Sequence, residues 1–500
     1  MMGKISLLDC YEKNRGPAYI TGMQALVRLL IEQARLDREA GINSRGLVSG
    51  YPGSPLGGLD IELTRNSKLL EAEGITFQPA INEELAATAI WGSQHIHLYD
   101  KPEIDGVFGL WYGKGPGLDR ALDAIRHANM GGVAKQGGMV LAVGDDATGK
   151  SSTIAYQSEQ TFIAAGVPFF YPRSTRDIIF MGLQAFALSR LAGCCVGLKI
   201  VVDTADTSSV LDLETIRPKH FADDSTLIGK DIGPVHIGRH DPALIREDRL
   251  YNLRLPAVRK FQRTQDINKP LHPKPSKAKL GIMAVGKTLY EVKDALQSLG
   301  IIDPAKSGIG LFSIVMPWPI NPESLCDFAS DYNEILVVEE KRPIVEDQMA
   351  RAVVNMTNRG VITGKFSPDG TPLLPETGEL THAILMAAIH SRATAHGITT
   401  DLPNIPDVGA PVLPSIATRT PWYCAGCPHN SSTKLPDNEV VGMGIGCHSI
   451  SGFLTPDDIT NFTQMGGEGA FWIGRSPFSS HNHSFQNIGD GTYAHSGYLG

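Results

Sequence analysis

Three cysteines in the C-terminal part of the sequence have the residue type and spacing of a metal site. Cys424 and Cys427 form a Cys-x-x-Cys pair, and Cys447 follows in a glycine-rich stretch. Thiolates are soft ligands, so loops that bring the three together would suit one iron–sulfur cluster or one zinc ion. The spacing alone permits both, because His429 or His448 could complete a zinc site.

The run Gly489-Asp490-Gly491-Thr492 has the residues of a turn that lets the backbone approach a diphosphate. Asp490 would then offer a hard carboxylate oxygen to the Mg²⁺ that neutralises the phosphates. An Asp in a tight turn more often serves the turn itself, so the motif alone is weak evidence. Gly466 and Gly467 begin a second glycine-rich run, which either lines the same phosphate pocket or forms an ordinary turn.

The composition indicates a globular chain and argues against several classes of protein. The 500 residues are 42% hydrophobic and 20% charged, and this length suggests roughly three domains. A net charge of −8 argues against nucleic-acid binding, and no apolar stretch has the length of a membrane helix or the position of a signal peptide. Seven cysteines in a chain of this size do not make a disulfide framework. We therefore expect a cytoplasmic protein without a membrane or nucleic-acid partner.

Helical and strand patterns alternate at the start of the chain, as in an α/β domain with a parallel sheet. Thr21 is a suitable N-cap for a helix over 22–40. A strand then leads into the glycine-rich loop 51–58, a passage that typically opens a pocket at the carboxyl end of a parallel sheet. Further elements are predicted over 82–93 (helix), 106–110 and 138–143 (strands), 176–191 (helix) and 196–202 (strand). Cys194 and Cys195 precede the last strand and should be buried and inert.

Two more α/β units are expected after this domain, each preceded by a connector. The first connector is polar and rich in His, Pro, Lys and Arg, and the second is rich in Pro and Gly. Between them, short apolar strands alternate with helices, as in a small doubly wound domain. The predicted divisions are 1–215, the connector 216–276, the second unit 277–357, the connector 358–420, and an unfinished third unit over 421–500.

Taken in order, the motifs resemble the 2-oxoacid:ferredoxin oxidoreductases, and most closely the long single-chain indolepyruvate ferredoxin oxidoreductases. Each motif is modest evidence, but the ordered set is specific and extends over nearly the whole chain. The motifs are Tyr51-Pro52-Gly53-Ser54-Pro55, Asn82-Glu83-Glu84-Leu85-Ala86, the run 108–117, Gly144-Asp145-Asp146 with Ser151-Ser152, the stretches 424–430 and 444–448, and the run 489–493. The resemblance implies an α/β fold with thiamine-diphosphate-binding-type parallel sheets. Residues 1–215 would be the thiamine-pyrimidine-binding domain, 277–357 a transketolase-C-like domain, and 421–500 the start of the diphosphate-binding domain.

The resemblance also implies roles for residues of the first domain. Glu83 would hydrogen-bond the pyrimidine N1′ and favour the imino tautomer. Glu84 is a much weaker candidate for this role, because the two side chains point to different faces of the helix. The alternative for Glu83 is a solvated helix residue. Ser54 matches a small hydroxyl residue beside the substrate carboxylate, or it only shapes the turn. Some relatives use an arginine against that carboxylate; here Lys114 and Lys150 are the candidates, although we expect both to be solvent-exposed.

Both cofactor sites implied by the resemblance lack ligands within this sequence. Cys424, Cys427 and Cys447 would bind a 4Fe–4S cluster, whose fourth cysteine relatives take from further downstream. The runs 466–467 and 489–492 would hold thiamine diphosphate, with Asp490 on Mg²⁺ and a second Mg²⁺ ligand roughly 25 to 30 residues later. We therefore expect the chain to be the N-terminal part of a longer polypeptide, or to need a partner chain.

The function that the resemblance implies is oxidative decarboxylation of an aryl-2-oxoacid such as indolepyruvate. The acyl group would pass to coenzyme A and the electrons, through the cluster, to ferredoxin, in an enzyme expected to be a homodimer. One alternative is a non-catalytic α/β module or fragment with a structural zinc site. A second alternative keeps thiamine diphosphate in a decarboxylase whose metal is only structural.

Overall fold

The computed structural model describes residues 6–99, 101–150, 152, 154–218, 234–239, 241–401, 422–436, 439–454 and 459–498. These residues belong to two compact units, one comprising Met1–Thr148 and Ala155–Asn404, the other Gly149–Ile154 and Ile405–Gly500. Several parts of the predicted organisation lie outside the described residues, among them Ser151, the stretch 219–233 of the first connector, the stretch 402–420 of the second connector with Pro421 after it, and Gly500.

The first unit contains three sheets, of which the largest has six parallel strands. The strands of this unit are β1 (Pro17–Thr21), β2 (Ser44–Gly50), β3 (Ile75–Phe77), β4 (Gly106–Lys114), β5 (Met139–Asp145), β6 (Phe169–Phe170), β7 (Cys195–Val201), β8 (Ser208–Asp212), β9 (Lys269–Pro270), β10 (Leu280–Val285), β11 (Ile309–Ile314), β12 (Glu334–Val338) and β13 (Val361–Thr363). The six-stranded sheet has the order β3-β2-β4-β5-β7-β6, and β1 pairs with β8 in a separate antiparallel ribbon. All pairings in the six-stranded sheet are parallel.

Both faces of the six-stranded sheet are covered, which explains why its central strands are apolar throughout. Along β5, Val140 and Ala142 join one apolar core, whereas Met139, Leu141 and Val143 join another. The first core contains the helices Gly22–Glu39 and Thr175–Ala192, and the second contains Glu83–Ser93 and Leu122–Gly131. Because successive side chains of a strand point to opposite faces, the alternation places one helical layer on each side of the sheet.

Helix boundaries in this unit follow local capping chemistry. Thr21 Oγ1 accepts a hydrogen bond from Gln24 N at 3.2 Å, while Gln24 Oε1 accepts one from Thr21 N at 3.0 Å. This reciprocal capping box satisfies two backbone donors at the helix start. The helix predicted over 22–40 is confirmed, and it ends at Glu39. Cys194 and Cys195 are fully buried, as expected.

The second large sheet of the first unit has the order β13-β12-β10-β11-β9 and is parallel except for β9. Its helices Thr288–Ser298, Pro322–Ala329 and Val345–Val353 alternate with strands along the chain, as the sequence predicts for this unit. Separate apolar cores lie on its two faces. The α/β fold class with parallel sheets is thereby confirmed.

The two segments interpreted as connectors contain helices that the sequence analysis did not anticipate. In 216–276, the helix Leu255–Thr264 places Val258 and Phe261 in the core of the six-stranded sheet. In 358–420, the helix His382–Ala395 packs in the core of the five-stranded sheet. The apolar residues of the first helix are separated by Arg, Lys and Gln, so the average composition is polar although one face is apolar.

The remaining helices of the first unit are short. They are Asp9–Glu12, Leu59–Arg65, Ser67–Ala72, Ile96–Tyr99, Gly115–Arg120, Glu159–Ala164, Val202–Ala205 and Ala243–Asp248, with a 3₁₀ turn Leu213–Thr215 and a π-helical turn Arg249–Arg254. In the part of the chain that the structure describes, no helix is both long and apolar enough to cross a membrane.

The second unit has a three-stranded parallel sheet in the order β15-β14-β16. Its strands are β14 (Val441–Met443), β15 (Ile459–Phe462) and β16 (Phe485–Gln486). Its helices and helical turns are His429–Ser432, Cys447–Ile450, Ser451–Leu454, Ala470–Arg475, Ser476–Phe478, Asp490–Thr492 and Tyr493–Gly497. The loop after β14 contains Cys447 and His448, so the end of this strand positions two of the candidate ligand residues of the unit.

Candidate functional site

The first region of interest lies at the carboxyl ends of β2, β4 and β5. These strands are neighbours in the parallel sheet, so the residues that follow them meet at one edge. The loop after β2 contains Ser54, β4 ends at Lys114, and β5 ends at Asp145. We call this region, together with Glu83, the strand-end region.

Glu83 is the first residue of the helix Glu83–Ser93, and only 5% of its surface is exposed. Asn82 caps this helix, because its side-chain oxygen accepts a hydrogen bond from Leu85 N at 3.0 Å. The indole of Trp111 donates to the Glu83 carbonyl at 2.9 Å, which ties the helix start to β4. The helix start is therefore anchored on both sides of Glu83.

The Glu83 carboxyl lies against the backbone of Gly117. A Cβ placed on Gly117 would come within 2.6 Å of Glu83 Oε1. A side chain at position 117 would therefore displace the carboxyl group. Glu84, by contrast, is partly exposed on the same helix.

Lys114 is half-buried, which corrects the expectation that it is solvent-exposed. Its stem packs on Gly53, since a Cβ on Gly53 would lie 2.9 Å from Lys114 Cδ. Burial lowers the pKa of Lys114, and the carboxylates of Glu83 and Asp146 oppose that shift. A cation at the end of β4 thus faces two carboxylates. Lys150 is exposed, as expected.

The structure brings the predicted residues of the first unit into one region. Ser54 is exposed in the loop after β2, and its neighbour Gly53 touches Lys114, whose ammonium faces Glu83. A lone lysine in a sequence is usually exposed, so the residue type alone does not predict this position for Lys114. Lys114 is the last residue of a buried strand and lies beside a glycine-rich loop. This position in the sequence pattern could have identified it as a partly buried residue of the site.

Asp145, at the end of β5, is engaged in a buried ion cluster. Its Oδ2 accepts hydrogen bonds from Ser158 N at 3.1 Å and Ser158 Oγ at 2.9 Å, and it lies 3.1 Å from Lys199 Nζ. Lys199 also contacts Glu159 Oε1 at 2.5 Å. Against the effect of burial, Glu159 and Asp145 raise the pKa of Lys199. Asp145 therefore serves this cluster, and we assign it no role toward a ligand.

The second region lies in the second unit, where three predicted runs meet around the loop that follows β14. Thr492 Oγ1 donates to the Ile445 carbonyl at 2.7 Å, which joins the 489–492 turn to this loop. Gly466 N donates to Glu468 Oε2 at 2.6 Å, and Glu468 Oε1 touches Gly444. We use the name glycine cradle for the group of residues formed by Gly444, Gly446, Gly489, His448 and Glu468.

Two buried polar atoms of the glycine cradle, His448 Nδ1 and Glu468 Oε1, have no hydrogen-bond partner within the part of the chain that the structure describes. Their side chains are 0% and 2% exposed. Since most buried polar atoms in proteins are hydrogen-bonded, two such atoms in one cradle indicate a polar ligand. Burial lowers the pKa of His448 to about 4, and His429 adds to the shift. The histidine is therefore neutral at neutral pH.

The unpartnered His448 Nδ1 and the adjacent turn that begins at Gly489 make the cradle a candidate for the diphosphate that its motifs predict. A Cβ on Gly446 would lie 2.9 Å from His448 Nδ1, and a Cβ on Gly444 would clash with Glu468. Glycine at these positions therefore lets the side chains of His448 and Glu468 pack against the loop. Asp490 and Gly491 are exposed at the start of the short helix Asp490–Thr492, and Gly467 is buried.

The three cysteines predicted as metal ligands lie on two loops of the same unit. Cys424 and Cys447 are exposed, Cys427 is partly exposed, and Cys427 N donates to the Cys424 carbonyl at 3.0 Å. Among the described residues, no three His, Cys, Asp or Glu side chains are arranged to hold a metal ion. The residues present thus do not fit a preformed cluster or zinc site, and we derive no chemical step through a metal cluster.

Comparisons with known proteins relate the chain to oxidoreductase subunits. The indolepyruvate oxidoreductase domain family matches residues 271–404. The indolepyruvate oxidoreductase subunit IorA of Methanothermobacter marburgensis is 26% identical over 508 aligned residues, covering 99% of this chain and 74% of that protein. IorA of Pyrococcus abyssi is 24% identical, covering 93% of this chain and 67% of that protein. The match with the family lies in the second sheet, not in the candidate sites.

A solved structure shares the fold. It is the 2-oxoglutarate:ferredoxin oxidoreductase of Magnetococcus marinus, with 2-oxoglutarate, coenzyme A and succinyl-CoA bound. The TM-score is 0.52 at 14% identity, over 76% of this chain and 66% of that chain. The present chain therefore spans slightly less than two thirds of that structure. The predicted relationship to the 2-oxoacid:ferredoxin oxidoreductases, and the prediction of an oxidoreductase enzyme, are confirmed.

Proposed function

From this relationship, we propose that the chain is the thiamine-diphosphate-binding part of an enzyme that oxidatively decarboxylates an aryl-2-oxoacid such as indolepyruvate. The acyl group passes to coenzyme A and the electrons to ferredoxin. The observation that carries the proposal is the glycine cradle, whose buried unpartnered His448 Nδ1 lies beside the Gly489–Thr492 turn. The naming of the relatives as indolepyruvate oxidoreductase subunits supports this substrate class.

The proposal includes the division of the chain predicted from the sequence. Residues 1–215 are the thiamine-pyrimidine-binding domain, 277–357 the transketolase-C-like domain, and 421–500 the start of the diphosphate-binding domain. The six-stranded sheet within the first range and most of the five-stranded sheet within the second support it. We add the helix His382–Ala395 to the transketolase-C-like domain, because it packs in the core of that sheet.

In the strand-end region, Glu83 is proposed to hold the proton at pyrimidine N1′. Its carboxyl is buried and fixed by the close approach of Gly117, as such a role requires. Bound thiamine diphosphate supplies the nucleophilic carbon that attacks the oxoacid carbonyl. Ser54 and Lys114 are proposed to orient the oxoacid carboxylate, since a hydroxyl and a cation lie at the same strand ends.

In the second unit, Gly489–Thr492 is proposed to bind the diphosphate through backbone N–H groups. Gly466 and Gly467 are proposed to line the same pocket, since their own N–H groups already donate to Glu468 Oε2 and to the Gln464 carbonyl. Asp490 offers an exposed carboxylate to Mg²⁺, a hard ion that takes oxygen ligands. Cys424, Cys427 and Cys447 remain proposed ligands of a 4Fe–4S cluster. Their thiols need a fourth ligand and a rearrangement of the two loops before they can hold one.

The proposed enzyme is a cytoplasmic homodimer that needs further chain or a partner subunit to complete its ligands. All seven cysteines are free thiols, which agrees with a reducing compartment. A homodimer is the assembly expected for such an enzyme. This expectation follows from the resemblance described above.

The test is reduction of methyl viologen by the full-length protein, purified anaerobically from its native source with any bound subunit. We expect dye reduction that requires both indolepyruvate and coenzyme A, and that increases with added thiamine diphosphate and Mg²⁺. Aldehyde release without dye reduction would replace the proposal with a non-oxidative decarboxylase. Bound zinc without iron, and no turnover of any 2-oxoacid, would identify a structural module instead.

A further inference from the structure

The imidazole of His448 is fixed by a backbone hydrogen bond that determines where its proton lies. His448 is fully buried in the turn Cys447–Ile450, and Gly444 N donates a hydrogen bond to its Nε2 at 3.2 Å. A backbone N–H can only donate, so Nε2 must present its lone pair. The ring is then neutral and carries its single proton on Nδ1.

This Nδ1–H group is buried and has no acceptor among the described residues. Its surroundings are glycine backbone, since Cβ atoms placed on Gly446 and Gly489 would lie 2.9 and 3.5 Å away. Gly446 has a φ of 151°, a conformation that other residues rarely adopt. The sequence thus keeps side chains away from the donor on both sides.

We propose that His448 positions thiamine diphosphate by donating its Nδ1–H to an oxygen of the diphosphate. The inference rests on the proposed function and adds a residue to it. Gly489, which lies beside the donor, begins the turn predicted to hold the diphosphate. A neutral donor suits this place, because it binds an anionic oxygen and has no second proton to release.

The same hydrogen-bond geometry argues against the rival role of His448 as a zinc ligand. A metal needs a nitrogen lone pair, and here the only lone pair, on Nε2, is taken by Gly444 N–H. His448 would therefore not complete a site with Cys447, although the two residues are adjacent. The carboxylates of Glu468 and Asp490 belong to the same loops, so a bare diphosphate would be repelled and its binding should need Mg²⁺.

Two substitutions distinguish the hydrogen-bonding roles of the two ring nitrogens of His448. In His448→Asn the amide nitrogen is bonded to Cγ, as Nδ1 is, so a donor remains toward Gly489. In His448→Gln the amide lies one bond further out, where it can still accept from Gly444 N–H but leaves no donor at Nδ1. His429→Gln is the matched control, because that ring lies 6.0 Å from His448 between centroids.

The measurement is the affinity of the full-length protein for thiamine diphosphate with Mg²⁺, by isothermal titration calorimetry, with inorganic diphosphate as competitor. We expect His448→Gln to weaken thiamine diphosphate binding about tenfold, the size of one hydrogen bond to a charged group. The inhibition constant of inorganic diphosphate should rise by the same factor. His448→Asn and His429→Gln should stay within about threefold of the unaltered protein.

The outcomes separate this inference from the function on which it rests. Unaltered protein that binds no thiamine diphosphate would overturn the proposed function and the inference together. Normal binding that His448→Gln leaves unchanged would overturn the inference alone. An equal loss in His448→Asn and His448→Gln would also overturn it, because the ring would then act by shaping the loop.

Discussion

The strand-end region and the glycine cradle differ in their charges, because the first sets a cation against carboxylates and the second sets a histidine beside a carboxylate and glycine backbone. A buried carboxylate oxygen without a hydrogen-bond partner among the described residues occurs in both, Asp145 Oδ1 in the first and Glu468 Oε1 in the second. In the strand-end region, Lys114 faces the carboxylates of Glu83 and Asp146, and Glu83 lies against Gly117 at the start of a capped helix. In the glycine cradle, two buried polar atoms, His448 Nδ1 and Glu468 Oε1, have no hydrogen-bond partner among the described residues.

The difference shows which part of the site the chain can organise without a ligand. A buried charge that faces an opposite charge, on elements fixed by a sheet, is held in place before any ligand binds. Buried polar atoms without partners carry a desolvation cost that a bound ligand can offset. We therefore expect substitutions in the strand-end region to change turnover, and substitutions around the cradle to change what the protein binds.

The largest expected effect is on metal content, from Cys424→Ser in the complete protein. If further chain or a partner brings the cysteines together, loss of one thiolate should remove the bound iron and acid-labile sulfide, together with dye reduction. Iron and sulfide analysis measures this directly. Cys326→Ser is the control, since that thiol donates to the Ala352 carbonyl in the first unit and should not alter iron content. Full retention of iron by Cys424→Ser would show that the ligands are elsewhere.

The next effect is on turnover, from Glu83→Gln. An amide cannot exchange the proton that a carboxyl at pyrimidine N1′ must hold, so kcat should fall by about 10² to 10⁴ while the fold is kept. Steady-state dye reduction and thermal unfolding measure the two quantities. Glu84→Gln, on the partly exposed neighbour, should retain most of the activity. Equal losses in the two variants would end the assignment of Glu83 and, with it, the idea of a preorganised strand-end region.

The sequence predicted those features of the two regions that depend on local patterns. The buried strands, the capped helix at Thr21 and the α/β class follow from apolar periodicity and capping residues. The relationship to oxidoreductases followed from the order of several short motifs. Each of these signals lies within a few neighbouring residues.

Features that depend on the folded geometry, or on an apolar face hidden by a polar average composition, were not predicted. The burial of Lys114 requires the loop containing Gly53 to fold over it, and the two sequence positions are far apart. The proton position on His448 depends on Gly444 N–H, a contact that spacing alone does not determine. The helix Leu255–Thr264 was interpreted as part of a connector because its apolar face is visible only at helical spacing.

The smallest expected effect comes from Gly117→Ala, which moves the Glu83 carboxyl without removing it. The new Cβ would lie 2.6 Å from Oε1 and 2.8 Å from Cγ of the buried Glu83 side chain, so that side chain must shift, and stability should be unchanged or slightly lower although alanine favours the helix. Turnover should fall by about 10-fold to 100-fold, since a displacement of about 1 Å has effects of that order. Gly92→Ala is the matched control, because that helical glycine has no atom within 4 Å of the new Cβ. If both variants keep full turnover, the position of Glu83 is not critical, and the strand-end region differs from the glycine cradle in packing alone.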